Sequence, residues 1–432
     1  MITTKETADM TTSRHWLDAA QNDPALMADF HALCAFGGRL AGTPEEAAAM
    51  AWAIERMGEI GGRTRRVEAG YDGWRCLSSS LRLENGTALA CKPLLRSSST
   101  PAEGLAGEVL DLGPGRTEDF DRAGDAVRGR IVLVRHEYPF SPRHMHRRRK
   151  YDLAVARGAA GFLIANPLPG RGLLSGSSGR AVDGPGIPAA YIDDASCQAI
   201  LAAGPGARVS LCIAGEEMRG AQAGIGVLDL PGGSGKTIVL SAHLDGHDLG
   251  RSALDNATGV AVALAAARAL APRISQATHG LRVCLFSAEE WALAGSAQYL
   301  AAMESAERAT LALDINLDTV AGDDALTALI SDFPALQPFV QGAAEAAGVP
   351  VGTYLPLMPN SDHANFARHD IPALRLVAGF DREQSRVNHI LSGGDLPAVV
   401  EEHELRRSLR VTCAMAAAAL DMPLSALAAL GR

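Results

Sequence analysis

From Lys236 to Asp318 the chain reads KTIVLSAH (236–243), TGVAVALAAARALA (258–271), LRVCLFSA (281–288), LAGSAQYLAAM (293–303) and TLALDINLD (310–318). The first, third and fifth are apolar runs of strand length, while the second and fourth have helical spacing. ALTALIS (325–331) and IPALRLVA (371–378) add strands, and helices are expected at about Pro334–Ala347, His363–Arg368 and Pro397–Leu420. Such alternation predicts the α/β class, an open sheet with helices on both faces. Ligands of these sheets bind outside the carboxyl ends of the strands. His243, the pair Glu289 and Glu290, and Asp318 all fall there.

Upstream the character changes. HWLDAAQNDPALMADFHALCAFGG and PEEAAAMAWAIERMGEIGG read as helices, the latter with Pro44 at its start and glycines at its end. After about Tyr71 come short β-like runs, SSSLRLEN, GEVLDLG and RGRIVLVRHE, with turns rich in Gly, Ser and Pro. A helical stretch, RRRKYDLAVARGAAG, the strands GFLIAN and IPAAYID, and a Gly/Ser loop follow, and this β-rich module ends near Ala214. The expected division is residues 1–70 as a helical part of the main domain, 71–215 as an inserted domain and 216–432 as the sheet domain.

At 432 residues the chain suits two or three domains. A net charge of −9 excludes a general nucleic-acid binder, which needs a basic face. No long uninterrupted apolar run suggests a membrane span, and MITTKETADMTTSRHW has no apolar leader region. Seven scattered cysteines without a CxxC pair read as reduced thiols. The expectation from these features is a cytoplasmic protein; a homo-oligomer is compatible with them.

The candidate chemistry lies in His243, Asp255, Glu290, Asp318 and His389. Two imidazoles and three carboxylates suit zinc, which takes nitrogen and oxygen ligands. One carboxylate shared between two ions would make a cocatalytic pair that activates water for hydrolysis. Asp245, two residues after His243, suits a carboxylate that orients a metal-bound imidazole. Asp255 in LDNATG precedes a helix, where an N-cap is the plainer reading. In FSAEEWALAGS, neighbours in extended chain point to opposite sides, so Glu290 can bind metal while Glu289 stays free as a base.

The ordered series HLD, ALDNATG, FSAEEWALAGS, NLD, NSDHANF and NHI resembles the cocatalytic-zinc metallopeptidases of family twenty-eight, over Gly224–Leu420. GGRLAGTPEEAAAMAWAIERM is similar to that family's leading segment. The run from RGRIVLVRHE through GIPAAYIDDASCQAIL resembles a protease-associated domain inserted into the catalytic one. The resemblance implies a three-layer αβα zinc-peptidase sheet and two zinc ions. It puts His243 and Asp318 on one, Glu290 and His389 on the other, Asp255 between them, and Glu289 as general base. The sequence departs from the family at Ser252, at Trp291 and Ala292, and at Asn388, which bears on the substrate pocket more than on the metals.

Arg375 sits on a strand beside the expected cleft, where a buried arginine needs an anion. It resembles in position an arginine that grips substrate carboxylate, and a salt bridge to a nearby acid is the alternative. Asp362 and His363 of NSDHANF, with Asn388, are expected to line or brace the cleft. RHMHRRRKYD is either a solvated face or a basic patch that steers anionic substrate. GGSGKT lacks the first glycine of a P-loop and leads into a strand. The expected activity is hydrolysis of peptide or peptide-like amides, first as an aminopeptidase on short peptides. A carboxypeptidase, a specialised small-amide hydrolase and a single-zinc glutaminyl-cyclase-like transferase are the rivals.

Overall fold

The computed structural model describes residues 15–432, so nearly all of the N-terminal stretch read for a leader lies outside the described residues. The strand–helix alternation of the C-terminal half forms as expected. Strands Thr237–His243, Gly280–Phe286, Leu311–Leu317 and Ala373–Ala378 run parallel at the centre of the sheet. Leu326–Leu329 joins antiparallel to Ala373–Ala378, and Val351–Tyr354 closes that edge. Burial on both faces explains why these segments read as continuous apolar runs. In Gly280–Phe286, Leu281, Val283 and Leu285 face one core, while Cys284 and Phe286 face another with Tyr299 and Phe366.

Helix Thr258–Leu270 is the centre of the larger core, packed between the sheet and helices Leu26–Ala35 and Glu402–Leu420. The helical run Ala253–Gln276 is long and apolar enough to cross a membrane, but 72% of its most apolar window is buried inside the protein. It is a core helix.

The inserted part has its own parallel strands, Leu105–Asp111, Ile131–Arg135, Gly161–Ala165 and Ala189–Ile192, edged by Cys91–Pro93. Two long antiparallel strands, Arg63–Leu83 and Arg208–Leu230, join it to the catalytic sheet. The positions near 71 and 215, taken as boundaries from the sequence, therefore fall inside continuous strands. Residues 75–80 are all exposed, so the middle of this ribbon lacks the one-sided alternation that betrays a strand.

The start of the central helix is fixed by close backbone approach. Gly259 packs so tightly on strand Leu311–Leu317 that a Cβ there would lie 2.1 Å from the Leu317 carbonyl oxygen. Asn256 ties the same two elements, donating to Leu317 O at 2.8 Å and accepting from the amides of Gly259 and Thr319 at 2.9 and 3.2 Å. Gly259→Ala should therefore cost about 1–3 kcal/mol by overpacking, read as a lower urea midpoint at unchanged m-value; an unchanged midpoint would contradict this packing.

Candidate metal centre

The strand ends and the loops after them build one acidic crevice. His243 ends its strand, and its Nδ1 bonds the Asp245 carbonyl at 2.9 Å. The Asp245 carboxylate, expected to orient that imidazole, instead accepts the amides of Glu289 and Glu290, each at 3.2 Å, and lies 3.6 Å from His243 Nδ1. It thereby holds the glutamate pair over the end of the neighbouring strand. Asp395 accepts from the amides of Leu254 and Asp255 at 2.7 and 3.2 Å.

Buried Arg39 braces two of these loops. Its guanidinium donates to carbonyl oxygens of Leu244 at 2.9 Å, Arg251 at 3.1 Å and Ser252 at 3.0 Å. The first follows His243, and the others precede Asp255.

His243 Nε2 lies 3.1 Å from Asp255 Oδ1 and 3.5 Å from Asp318 Oδ1. Ligating atoms of His243, Glu289 and Asp318 converge, as do those of His243, Asp255 and Glu290. On the other side, His247 Nε2 lies 3.6 Å from Asp255 Oδ2 and 2.6 Å from Glu290 Oε1. Neither that nitrogen nor that oxygen is aligned for a hydrogen bond. Their lone pairs thus remain available to a common cation.

The electrostatics match this crowding. Burial opposes charge on His243, but Asp318 and Glu289 outweigh it and push the imidazole well above its ordinary value. His247 is likewise pushed up to about 10, with Glu290 and Asp255 overcoming burial. Burial, reinforced by Glu290, holds the Glu289 carboxyl well above the usual carboxylate range, against the pull of His243. Four buried acids and two imidazoles form a donor set suited to a divalent metal of zinc type.

Among the described residues, the groups whose ligating atoms converge do not include His389. His389 is half-buried on a loop, with Nδ1 2.6 Å from Arg171 Nη1, and the second imidazole of the acidic crevice is His247. The turn Arg386–His389 lies beyond the last strand, so strand-end reasoning could not orient it. His247, four residues after His243 in HLDGH, was the available signal.

Arg375 is engaged by the protein's own groups, except at its buried Nε, which has no hydrogen-bond partner. It pairs with Asp318 Oδ2 at 3.0 Å, donates to Asn360 O at 2.9 Å and stacks on Phe140. The expectation of a buried arginine facing an anion holds, but the anion is the protein's own. Asp362 and His363 are fully buried; Asp362 accepts from Ser296 Oγ at 2.5 Å, whereas neither His363 ring nitrogen has a hydrogen-bond partner. Burial pushes Asp362 up to about 7 and His363 down to about 3. Asn388 lines a cavity of about 460 Å³ with Tyr138, His144 and Arg171, and its amide is engaged by the Glu383 carbonyl.

Sheet, insertion and crevice together define a class, an α/β peptidase fold carrying an inserted domain. Residues 227–408 match the family model Peptidase family M28, and residues 93–200 match the PA domain. The C-terminal domain is thus similar to the M28 peptidases, and the inserted part to a PA domain. A curated relative, leupeptin-inactivating enzyme 1 of Streptomyces exfoliatus, is 30% identical over 156 residues, 36% of each chain. The chain thus matches about a third of that relative's length. In fold it is similar to BSAP, a zinc aminopeptidase from Bacillus subtilis, at TM-score 0.73 and 19% identity, covering 91% of this chain and 94% of that one. A Peptidase M28 precursor from Shewanella amazonensis SB2B gives TM-score 0.79 at 20% identity over 97% and 98%.

Removing the Arg375 charge leaves buried Asp318 with only the His243 imidazole, at 3.5 Å, and the Thr319 hydroxyl beside it. Arg375→Met should lower stability by about 3–5 kcal/mol, measured by chemical denaturation; a loss below about 1 kcal/mol, the range of exposed pairs, would mean that the pair is not a structural brace.

Proposed function

We propose that the chain is a two-zinc aminopeptidase acting on short peptides, with Glu289 as the general base. The reading rests on Asp255, whose two oxygens face an imidazole on either side, His243 and His247. His243 and Asp318 would hold one ion, Glu290 and His247 the other, and Asp255 both. His247 here takes the part that the resemblance assigned to His389. The donor set fits, because orphaned atoms of Glu290 and His247 gain a partner. The names of the Bacillus fold neighbour and of the leupeptin-inactivating relative favour peptide substrates.

Zinc ions bound there would activate water and polarise the scissile carbonyl. The chain's own groups do the rest. Asp245 fixes the backbone of Glu289 and Glu290 through their amides, and both carboxylates come close to His243. The charge of His243 opposes burial at Glu289 and favours its ionised form, the state needed to accept a proton from water. The protonated carboxyl then returns that proton to the leaving amine. Arg375 keeps Asp318 charged and oriented from behind.

The test is metal content and turnover on aminoacyl, dipeptide and N-acyl-amino-acid substrates, with and without chelator. Chelator should abolish hydrolysis, and aminoacyl or dipeptide substrates should be preferred. Glu289→Gln should retain two zinc ions per chain while turnover falls about 10²–10⁴-fold. His247→Ala should lose one ion and His389→Ala neither. Full activity in Glu289→Gln sinks the base assignment, and zinc loss in His389→Ala alone restores the original ligand set.

A further inference from the structure

His247 is held differently from His243. The His243 ring is fixed through Nδ1, which bonds the Asp245 carbonyl at 2.9 Å. Among the described residues, neither ring nitrogen of His247 has a hydrogen-bond partner, although its side chain is only 1% exposed. A metal-bound imidazole usually gives its second N–H to an acceptor, which fixes the ring. At His247 that task falls to the main chain.

The main chain around His247 is clasped from three sides. Its amide donates to Ser252 Oγ at 2.9 Å, in a buried contact. Its carbonyl packs on Gly38, where a Cβ would lie 2.2 Å from the oxygen. The next residue, Asp248, accepts from Ser175 Oγ of the inserted domain at 3.0 Å and pairs with Lys92 of the same domain.

Ser252 is the unusual member of this clasp. Its φ of 45° and ψ of 48° lie in the left-handed region, which glycine adopts freely and a side chain adopts under strain. It is also a position at which the sequence departs from the family it resembles. Space for the hydroxyl depends on Gly246, where a Cβ would meet Ser252 Oγ at 2.2 Å. The Ser252 carbonyl is engaged separately, by Arg39 Nη2 at 3.0 Å and the Ala257 amide at 3.1 Å. Glycine would keep those backbone contacts and relieve the strain. What serine adds is the acceptor for His247. It thereby joins the loop that carries His247 to the segment that carries Asp255, and these two side chains face each other at 3.6 Å.

We propose that Ser252 is a positioning residue for the second metal ion. Its hydroxyl fixes the backbone of His247 and keeps the imidazole facing Asp255 and Glu290. This rests on the two-zinc reading above and adds the residue that makes His247 a competent ligand.

The experiment measures zinc release from the loaded full chain into a graded competing chelator, with urea denaturation at equal zinc. Ser252→Ala keeps the strained backbone and removes the acceptor, whereas Ser252→Gly removes both. Each should weaken one zinc site by about 10–100-fold, as loss of an outer partner of a ligand does, and leave the other site unchanged. The weakened site should be the one that His247→Ala abolishes. Ser252→Gly should still have a higher urea midpoint than Ser252→Ala, because only glycine is at ease in this backbone. A serine that merely shapes the loop would lower stability without moving the ratio of the two zinc affinities. Wild-type affinity at both sites in Ser252→Ala, or equal weakening of both, overturns the positioning role while His247→Ala still loses one ion. Retention of both ions in His247→Ala overturns the ligand reading and this inference with it.

Discussion

Like charge at close quarters is the constraint on which this structure turns. Asp255, Glu289, Glu290 and Asp318 are each at most 8% exposed and share one crevice. Carboxylates so placed cannot all ionise unless cations meet them. Two imidazoles and Arg375 supply part of that charge. His243 and His247 are consequently pulled toward protonation by the acids around them. A divalent ion satisfies the same demand better, because it draws on lone pairs that a proton cannot share.

The rest of the catalytic domain keeps this unfavourable arrangement from relaxing. Arg39 clamps two loops through their carbonyl oxygens and, among the described residues, pairs with no carboxylate. Asp395 holds the backbone of Leu254 and Asp255, and Asn256 locks the next residues to the strand that ends at Asp318. Asp245 does the same for the glutamate pair. Each brace fixes main chain, so the ligand side chains remain free to face inward. Sites held by backbone clamps lose little order when their charges change.

Much of this was legible because periodicity and strand ends are local signals. Thr237–His243, Gly280–Phe286 and Leu311–Leu317 stand out as buried parallel strands, and a sheet of this class brings their carboxyl ends together. His243, Glu289, Glu290 and Asp318 inherit their positions from that rule. Loops carry no such rule. His389 and His247 both lie in polar turns, and only tertiary packing decides which imidazole meets Glu290. For Arg375, burial implied an anion without naming it, since a substrate and Asp318 satisfy the same electrostatic need. The long ribbon was hidden for a different reason. Its central residues are exposed on both faces, so no hydrophobic alternation marks them.

The ribbon also explains how a second domain can contribute to chemistry it does not contain. Arg63–Leu83 and Arg208–Leu230 are paired along nearly their whole length, and one end of the second strand joins Gly280–Phe286 of the catalytic sheet. Its other end joins Leu105–Asp111 of the inserted domain. A flexible linker would let the inserted domain wander by several ångströms, far more than a directional contact tolerates. The hydrogen-bonded ladder, with register shifts at Tyr71/Gly73 and Cys76/Ser78, instead ties the strand before Glu289 to the inserted domain. The loop Ser175–Arg180 adds a second attachment, since the Ser175 amide donates to Leu391 O at 2.8 Å. With two separate attachments, rotation about either one is blocked, and the inserted domain acts as a fixed wall of the crevice.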